Sequence, residues 1–161
     1  IYGLSKLTGE HLCNEFFLET DIPVVVCRFF NAFGPNETNP HLIPEIQQQV
    51  LEGKRVIKLG NLTPKRDFIH TYDMAAAVET LLTHVEGGIH TYNLGRGIEY
   101  SVTEIVDAFS KAINEKIEIE VDQTRVRKVE RQHLLADVSK LKSLGWTTKI
   151  GIEDGIKTLV Q

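Results

Sequence analysis

The stretch IPVVVCRFF, residues 22–30, decides how the rest of the chain is read. It is a nearly continuous apolar run rich in valine. A strand with one wet face alternates apolar and polar residues, whereas a strand covered on both faces, as in a parallel sheet, runs apolar throughout. Residues 24–27 are therefore expected to form a buried parallel strand. The preceding SKLTGEHLCNEFFLET, residues 5–20, reads as an amphipathic helix, with Leu7, His11, Leu12, Phe16 and Leu18 at helical spacing. Thr20, Asp21 and Pro23 end it. A helix that runs straight into such a strand is half of an α/β repeat.

Downstream the elements keep that style. NAFGPNETNPH (31–41) reads as a turn-rich loop, with Gly34, Pro35 and Pro40. LIPEIQQQVLEG (42–53) reads as a helix with Pro44 in its first turn and Gly53 just past its end. RVIKL (55–59) is a short strand and GNLTPKRD (60–67) a loop. TYDMAAAVETLLTHV (71–85) is a helix capped by Thr71 and stopped by Gly87 and Gly88. HTYNLG (90–95) is a short strand. SVTEIVDAFSKAI (101–113) is a helix whose Ser101 and Glu104 have the spacing of a capping box. KIEIEV (116–121) alternates like a strand with one wet face. Short helices follow at 137–146 and 152–160. Only residues 22–30 carry the strongly buried parallel pattern, and a doubly wound sheet needs several such strands. The chain thus reads as the end of a sheet whose beginning is absent.

Composition narrows the classes. The chain has 161 residues, 42% hydrophobic and 25% charged, enough for one domain with a core. A formal net charge of −4 argues against general nucleic-acid binding. No apolar run reaches the roughly 18 residues that span a bilayer, and no signal or lipidation motif is visible, so neither a nucleic acid nor a membrane is expected as partner. Cys13 and Cys27, the only cysteines, match no metal or disulfide framework and read as thiols of a cytoplasmic protein. The six histidines show no metal-ligand spacing and no Ser-His-Asp order is visible, so no metal is expected. Met74 is the only methionine and the chain opens on Ile1, which suggests a trimmed, renumbered or partial chain.

The chemistry starts at IYGLSK, where Tyr2 and Lys6 share one helix face. A free phenol has a pKa of about 10, too high for a base at neutral pH. A neighbouring ammonium favours the phenolate and lowers that value. A phenol so tuned can move a proton to or from a sugar hydroxyl. The same pair also arises by chance in many helices. Asn31 reads equally as a hydrogen-bond donor or as a turn residue. Arg66 is a solvated surface charge or a bidentate anion contact. His70 and Trp146 read as structural.

Tyr2 and Lys6 are followed by RFFNAFGP (28–35), GNLTPKRDFIHTYD (60–73) and RKVERQHLLADVSKLKSLGW (127–146). In this order and spacing the segments resemble the extended short-chain dehydrogenase/reductase family, and most closely its NAD-dependent nucleotide-sugar epimerases and 4,6-dehydratases. The loop GNLTPKRD looks most like that of GDP-mannose 4,6-dehydratases. The chain departs from the family's tail at Lys128, where a proline is usual, so Arg125 is an alternative to Arg127.

The resemblance implies the carboxyl-terminal part of a Rossmann-type parallel sheet plus a smaller α/β substrate-binding domain. Residues 1–35 would end the Rossmann domain, and 36–161 would be mainly the substrate-binding portion. Tyr2 would be the general base, and Lys6 would lower its pKa and hold the nicotinamide ribose. Phe30 would lie near the nicotinamide of NAD, with NADP as the alternative cofactor. Asn31, Arg66 and Arg127 would contact the diphosphate of a nucleotide-diphosphate sugar and Glu130 its ribose. His41 and Leu42 would touch the sugar or diphosphate, and Val56 and Lys58 would flank the base. Asp67 would pair with a neighbouring arginine and hold its loop.

The reaction implied is epimerisation or 4,6-dehydration through a 4-keto intermediate, in a homodimer joined by the helix that bears Tyr2. The glycine-rich dinucleotide fingerprint would lie upstream of Tyr2, because GRG at 95–97 is too short and precedes an ordinary helix. The chain is therefore expected to be the carboxyl-terminal half of such an enzyme, inactive without the amino-terminal half. The alternative is a truncated, non-catalytic half-domain that binds a nucleotide-sugar or a protein partner, or self-associates through Leu12, Phe16 and Phe17.

Overall fold

A computed structural model describes residues 1–127 and 129–161. The departure noted at Lys128 lies outside the described residues. Helix α1 (Tyr2–Thr20) ends where Asp21 takes a left-handed φ of 56° and donates its N–H to the Phe17 carbonyl. The helix buries no side chain fully. Its half-buried face carries Glu10, Cys13, Asn14 and Phe17, whereas Leu7, Leu12, Phe16 and Leu18 are exposed. The stripe expected from spacing is thus the outer one. Apolar residues lie on several sides of α1, and only the side that meets β1 is covered.

Strand β1 (Val24–Phe29) runs parallel to β5 (Ile89–Leu94), in register from Val24 opposite Ile89 to Phe29 opposite Leu94. The parallel pairing matches the valine-rich run, but Val24–Cys27 are half-buried rather than covered on both faces. At Phe30 the chain leaves this sheet: its N–H donates to the Leu94 carbonyl at 3.0 Å. The next residues form β2 (Asn31–Phe33), parallel to β4 (Lys65–His70) in a different sheet. NAF is therefore strand rather than loop, and KRD begins β4 rather than ending a loop. Short strands of this kind depend on distant partners and leave little local signal.

Strand β4 also pairs antiparallel with β6 (Glu99–Ser101) and parallel with β8 (His133–Leu134). Strand β3 (Val56–Leu59) pairs parallel with β7 (Glu118–Val121). Helix α2 (Leu42–Leu51) is followed by Gly53 at a φ of 82°, a backbone conformation that favours glycine. Helix α3 (Thr71–His84) is capped by His70, not Thr71, because the His70 ring nitrogen accepts the Tyr72 N–H. Helix α4 (Val102–Ile113) has the full Ser101–Glu104 capping box. Helices α5 (Ser139–Lys142) and α6 (Ile152–Val160) complete the order.

Two cores result. The larger gathers Phe33, Ile43, Ile57, Phe68, Phe109 and Ile156 between α2, α4, α6 and the strands. The other gathers Ile69, Ala77, Leu81, Leu94, Leu141 and Trp146. Side chains alternate across a strand, so in β4 Phe68 enters the first core and the adjacent Ile69 the second. The two cores interleave along the sequence, and core membership does not change at residue 35. Helix α6 comes so near β2 that a Cβ on Gly155 would lie 2.6 Å from the Phe33 ring.

Candidate active-site cleft

Asn31 heads β2 opposite Phe68 of β4, and Arg66, the second residue of β4, lies two residues before Phe68. His41 is the N-cap of α2 and Leu42 its first residue, and the segment after β7 carries Arg127 and Glu130. These six residues line one cavity of about 280 Å³. The Arg66 guanidinium meets the Glu130 carboxylate at 3.1 Å, with both side chains only 18% exposed, and donates a second bond to the Lys65 carbonyl at 2.8 Å. A second cavity of about 370 Å³ shares Asn31, His41 and Phe68 with the first and adds Phe30 and Tyr2. A third, of about 670 Å³, shares Tyr2 and Phe29 with the second and adds Lys6, Glu10 and Cys27. Through these shared lining residues the three cavities adjoin in a row, from Lys6 and Tyr2 past Phe30 and Asn31 to Arg66 and Glu130, and the row is called the cleft below.

At the helical end the Lys6 ammonium lies 5.4 Å from the Tyr2 ring centroid. Glu10, one turn on, holds Arg28 of β1 by two bonds of 2.6 and 2.8 Å. The Arg28 guanidinium keeps the Glu10 carboxyl below the usual carboxylate range. Arg125 reaches back to Glu45 of α2 at 2.7 Å and to Asp122 at 3.4 Å. It is therefore engaged by acids, whereas the Arg127 side chain makes no hydrogen bond among the described residues. Both arginines line the first cavity.

Two expected contacts lie elsewhere. Val56 is exposed, and the Lys58 ammonium faces Glu120 at 3.6 Å. Neither lines the cavity, because β3 presents Ile57 and Leu59 to the core and the other two outward. Only the Lys58 carbonyl approaches the site, accepting from Gln49 at 3.2 Å and Arg125 at 3.4 Å. Residues not anticipated as lining include Gly60, Asn61 and Tyr100. Gly60 and Asn61 carried a turn signal in GNLT, but nothing local marks what they face.

Next to Arg66, the fully buried Asp67 organises the site from behind. One carboxylate oxygen accepts the Arg96 N–H at 2.7 Å, the other the N–H groups of Gly97 and Ala136 at 2.8 and 3.2 Å. Burial pushes this carboxyl up while the three amide donors pull it back. Asp67 does hold its neighbourhood together, through backbone amides rather than a guanidinium. The GRG segment wraps this carboxylate.

His70 is buried, edge-on to Phe33 and Tyr72, and burial holds its imidazole below the ordinary value. It caps α3, a structural task. Trp146 is core, its indole N–H donating to the Asp73 carbonyl at 3.2 Å. Among the described residues no cluster of His, Cys, Asp and Glu is arranged to hold a metal ion, and no helix is long and apolar enough to cross a membrane.

Parallel strands that change partners at Phe30, with a polar cleft beside that change, define a Rossmann-type α/β fold. In such sheets ligands lie beyond the carboxyl ends of the strands where the order switches. More narrowly, the chain belongs to the family described as GDP-mannose 4,6 dehydratase, whose sequence profile matches residues 1–159.

It is 29% identical over 164 residues to GDP-L-fucose synthase 1 of Arabidopsis thaliana, covering 96% of this chain and 50% of that protein. It is 27% identical over 165 residues to GDP-6-deoxy-D-mannose reductase of Pseudomonas aeruginosa, covering 99% and 54%. The fold superposes on RMD from Pseudomonas aeruginosa, a complex with NADPH, with a TM-score of 0.88 at 26% identity, covering 99% of this chain and 54% of that one. It superposes on UDP-glucose 4-epimerase from Bifidobacterium longum, a complex with NAD+ and UDP, with a TM-score of 0.86 at 26% identity, covering 99% and 53%. The chain spans about half the length of the relatives it matches.

Proposed function

We propose that this chain is the substrate-gripping and proton-moving part of an NAD- or NADP-dependent enzyme that epimerises or 4,6-dehydrates a nucleotide-diphosphate sugar through a 4-keto intermediate. The observation that carries the reading is the row of adjoining cavities that runs from Tyr2 and Lys6 to Arg66, Arg127 and Glu130. Relatives named for GDP-sugars and neighbours complexed with NAD+, NADPH and UDP support it.

The cleft suits a nicotinamide at its helical end. Lys6 and Tyr2 offer an ammonium and a hydroxyl for ribose, beside the flat apolar surface of Phe29 and the backbone of Phe30. When bound, the nicotinamide supplies the hydride chemistry at the sugar carbon. This chain's residues move a proton and hold the substrate. In its ionised form Tyr2 takes the proton of the sugar hydroxyl and becomes the phenol, with the Lys6 ammonium alongside. The Asn31 amide donates to the diphosphate, and the Arg66 fork grips it in place of the Glu130 carboxylate. Freed of Arg66, Glu130 accepts from a ribose hydroxyl. Leu42 and His41 close the far side, and residues 36–161 furnish most of this wall. The two free thiols fit a reducing cytoplasm.

Helix α1 leaves Leu7, Leu12, Phe16 and Leu18 exposed, and we assign this face to a homodimer contact. The same exposure favours a second reading, a half-domain that binds nucleotide-sugar or a partner protein without turnover. Titration of the intact polypeptide with GDP, UDP and NAD, followed by thermal shift, separates the two. Stabilisation by a nucleoside diphosphate and by NAD, with conversion of a nucleotide-sugar to its epimer or its 4-keto-6-deoxy product and no net change in NAD, supports the enzyme. Stabilisation by GDP or UDP alone supports the second reading, and no response to either nucleotide removes both.

A further inference from the structure

The wall that carries Arg127 has almost no core of its own. Residues 123–127 are exposed, so polar contacts hold them. At one end the Asp122 N–H donates to the Leu59 carbonyl at 2.8 Å, and at the other the Lys65 N–H donates to the Gln132 carbonyl at 2.7 Å. Between these ends Arg125 and Arg127 meet the β3–β4 turn. A Cβ on Gly60 would sit 2.6 Å from the Arg125 carbonyl oxygen, so that residue must be bare for the two backbones to meet. The next residue, Asn61, closes the contact. Its Oδ1 accepts the Arg127 N–H at 2.7 Å, and its Nδ2 donates to the Arg127 carbonyl at 3.2 Å. A carboxamide is the side chain that offers both a donor and an acceptor in one plane. Here it imitates the partner residue of an antiparallel ladder, which exchanges both backbone bonds with its opposite.

Chemistry restricts the choice at this position. Aspartate would keep the acceptor for the Arg127 N–H but set a charged oxygen against the Arg127 carbonyl. Alanine would leave both backbone groups to water. Neither change touches Arg66, Tyr2 or the core, because Asn61 is only half-buried in a turn.

We propose that Asn61 is a positioning residue, whose carboxamide fixes the backbone at Arg127 and thereby sets the Arg127 guanidinium and the Glu130 carboxylate around the diphosphate and ribose of the nucleotide-sugar. This rests on the reading that Arg127 and Glu130 contact the nucleotide. The contacts concerned hold substrate and transition state alike, so losing them raises KM and leaves kcat alone. The intact enzyme is assayed for KM and kcat, with direct titration of GDP and UDP and a thermal melt.

Asn61→Ala is expected to raise KM and both dissociation constants about ten-fold, the scale of one or two neutral hydrogen bonds. kcat and the melting midpoint are expected to stay put. Asn61→Asp is expected to do the same or worse, because the acceptor alone does not restore the pair. In an Arg127→Ala background the Asn61→Ala loss shrinks, since the group it positions is gone. Two results overturn the proposal while sparing the reading of the cavity: unchanged affinity in Asn61→Ala beside weakened affinity in Arg127→Ala, or full additivity of the two. A lowered melting midpoint with unchanged KM marks a merely structural residue and also overturns it. If Arg127→Ala and Glu130→Gln are themselves silent, the reading of the cavity falls and the proposal for Asn61 falls with it.

Discussion

The two ends of the cleft are held in opposite ways. At the phosphate end, Arg66 stands on a strand whose next residues, Asp67 and Phe68, are buried at 0% and 3% exposure. Its position follows from a core made entirely by this chain. At the other end, Tyr2 and Lys6 stand on a helix with no fully buried residue, tied to β1 by the Glu10–Arg28 pair. Exposed ion pairs contribute at most about 1 kcal/mol. On the proposed reading, the binding geometry is built into the fold, while the geometry of proton transfer rests on a lightly packed helix. The difference predicts that nucleotide affinity and turnover can be separated by mutation.

The sharpest cut is Tyr2→Phe in the intact enzyme. Turnover is expected to fall by about 10²–10⁴-fold, the usual worth of a positioned acid–base group, with GDP and UDP affinity unchanged. Steady-state kinetics beside calorimetric titration checks both halves, and equal losses in the two would erase the contrast between the ends. Asp67→Ala comes next, on stability. It orphans three N–H groups, that of Ala136 buried and those of Arg96 and Gly97 half-buried, and an unsatisfied buried donor costs about 1–3 kcal/mol. A loss of about 3 kcal/mol in urea unfolding is expected, with nucleotide binding failing alongside.

Arg66→Ala is expected to weaken nucleoside diphosphate binding by about 10–100-fold, the range for hydrogen bonds to charged groups. Arg66→Lys recovers part of it, because an ammonium lacks the fork. The smallest effect is one of pH. Burial holds His70 below its ordinary value, about 6.5 in an unfolded chain. Just below that pH the unfolded chain binds the extra proton and the folded one does not, so stability is lost as pH falls from about 6.5 toward the folded value. His70→Asn, which retains a capping acceptor, should flatten that part of the curve measured by denaturant unfolding.

How far these features could be read beforehand depends on how local their causes are. The Ser101–Glu104 box, Pro44 in the first turn of α2 and Gly53 after it are all written within a few residues, and all hold in the structure. The valine-rich run names a parallel strand by its composition, although in the structure Val24–Cys27 are only half-buried. The Tyr2–Lys6 spacing names a shared helix face because residues four apart meet on any α-helix. His70 displaces Thr71 as the cap of α3 because burial by Phe33 fixes its ring, a tertiary cause with no local trace. The NAF strand exists only because β4 arrives from elsewhere in the chain. The outward turn of Leu12 and Phe16 was hidden because α1 carries apolar residues on several sides, so spacing alone could not say which side is covered. The reach of Glu130 back to Arg66, and of Asn61 to Arg127, spans turns whose sequence shows only that they are turns.

The bare Gly155, against which Phe33 packs, ties the last helix to the strand that begins with Asn31. Any β-carbon at 155 would press on that ring and part α6 from β2. A single hydrogen in place of a methyl group is thus what lets a helix distant in sequence stand directly behind the strand that carries Asn31.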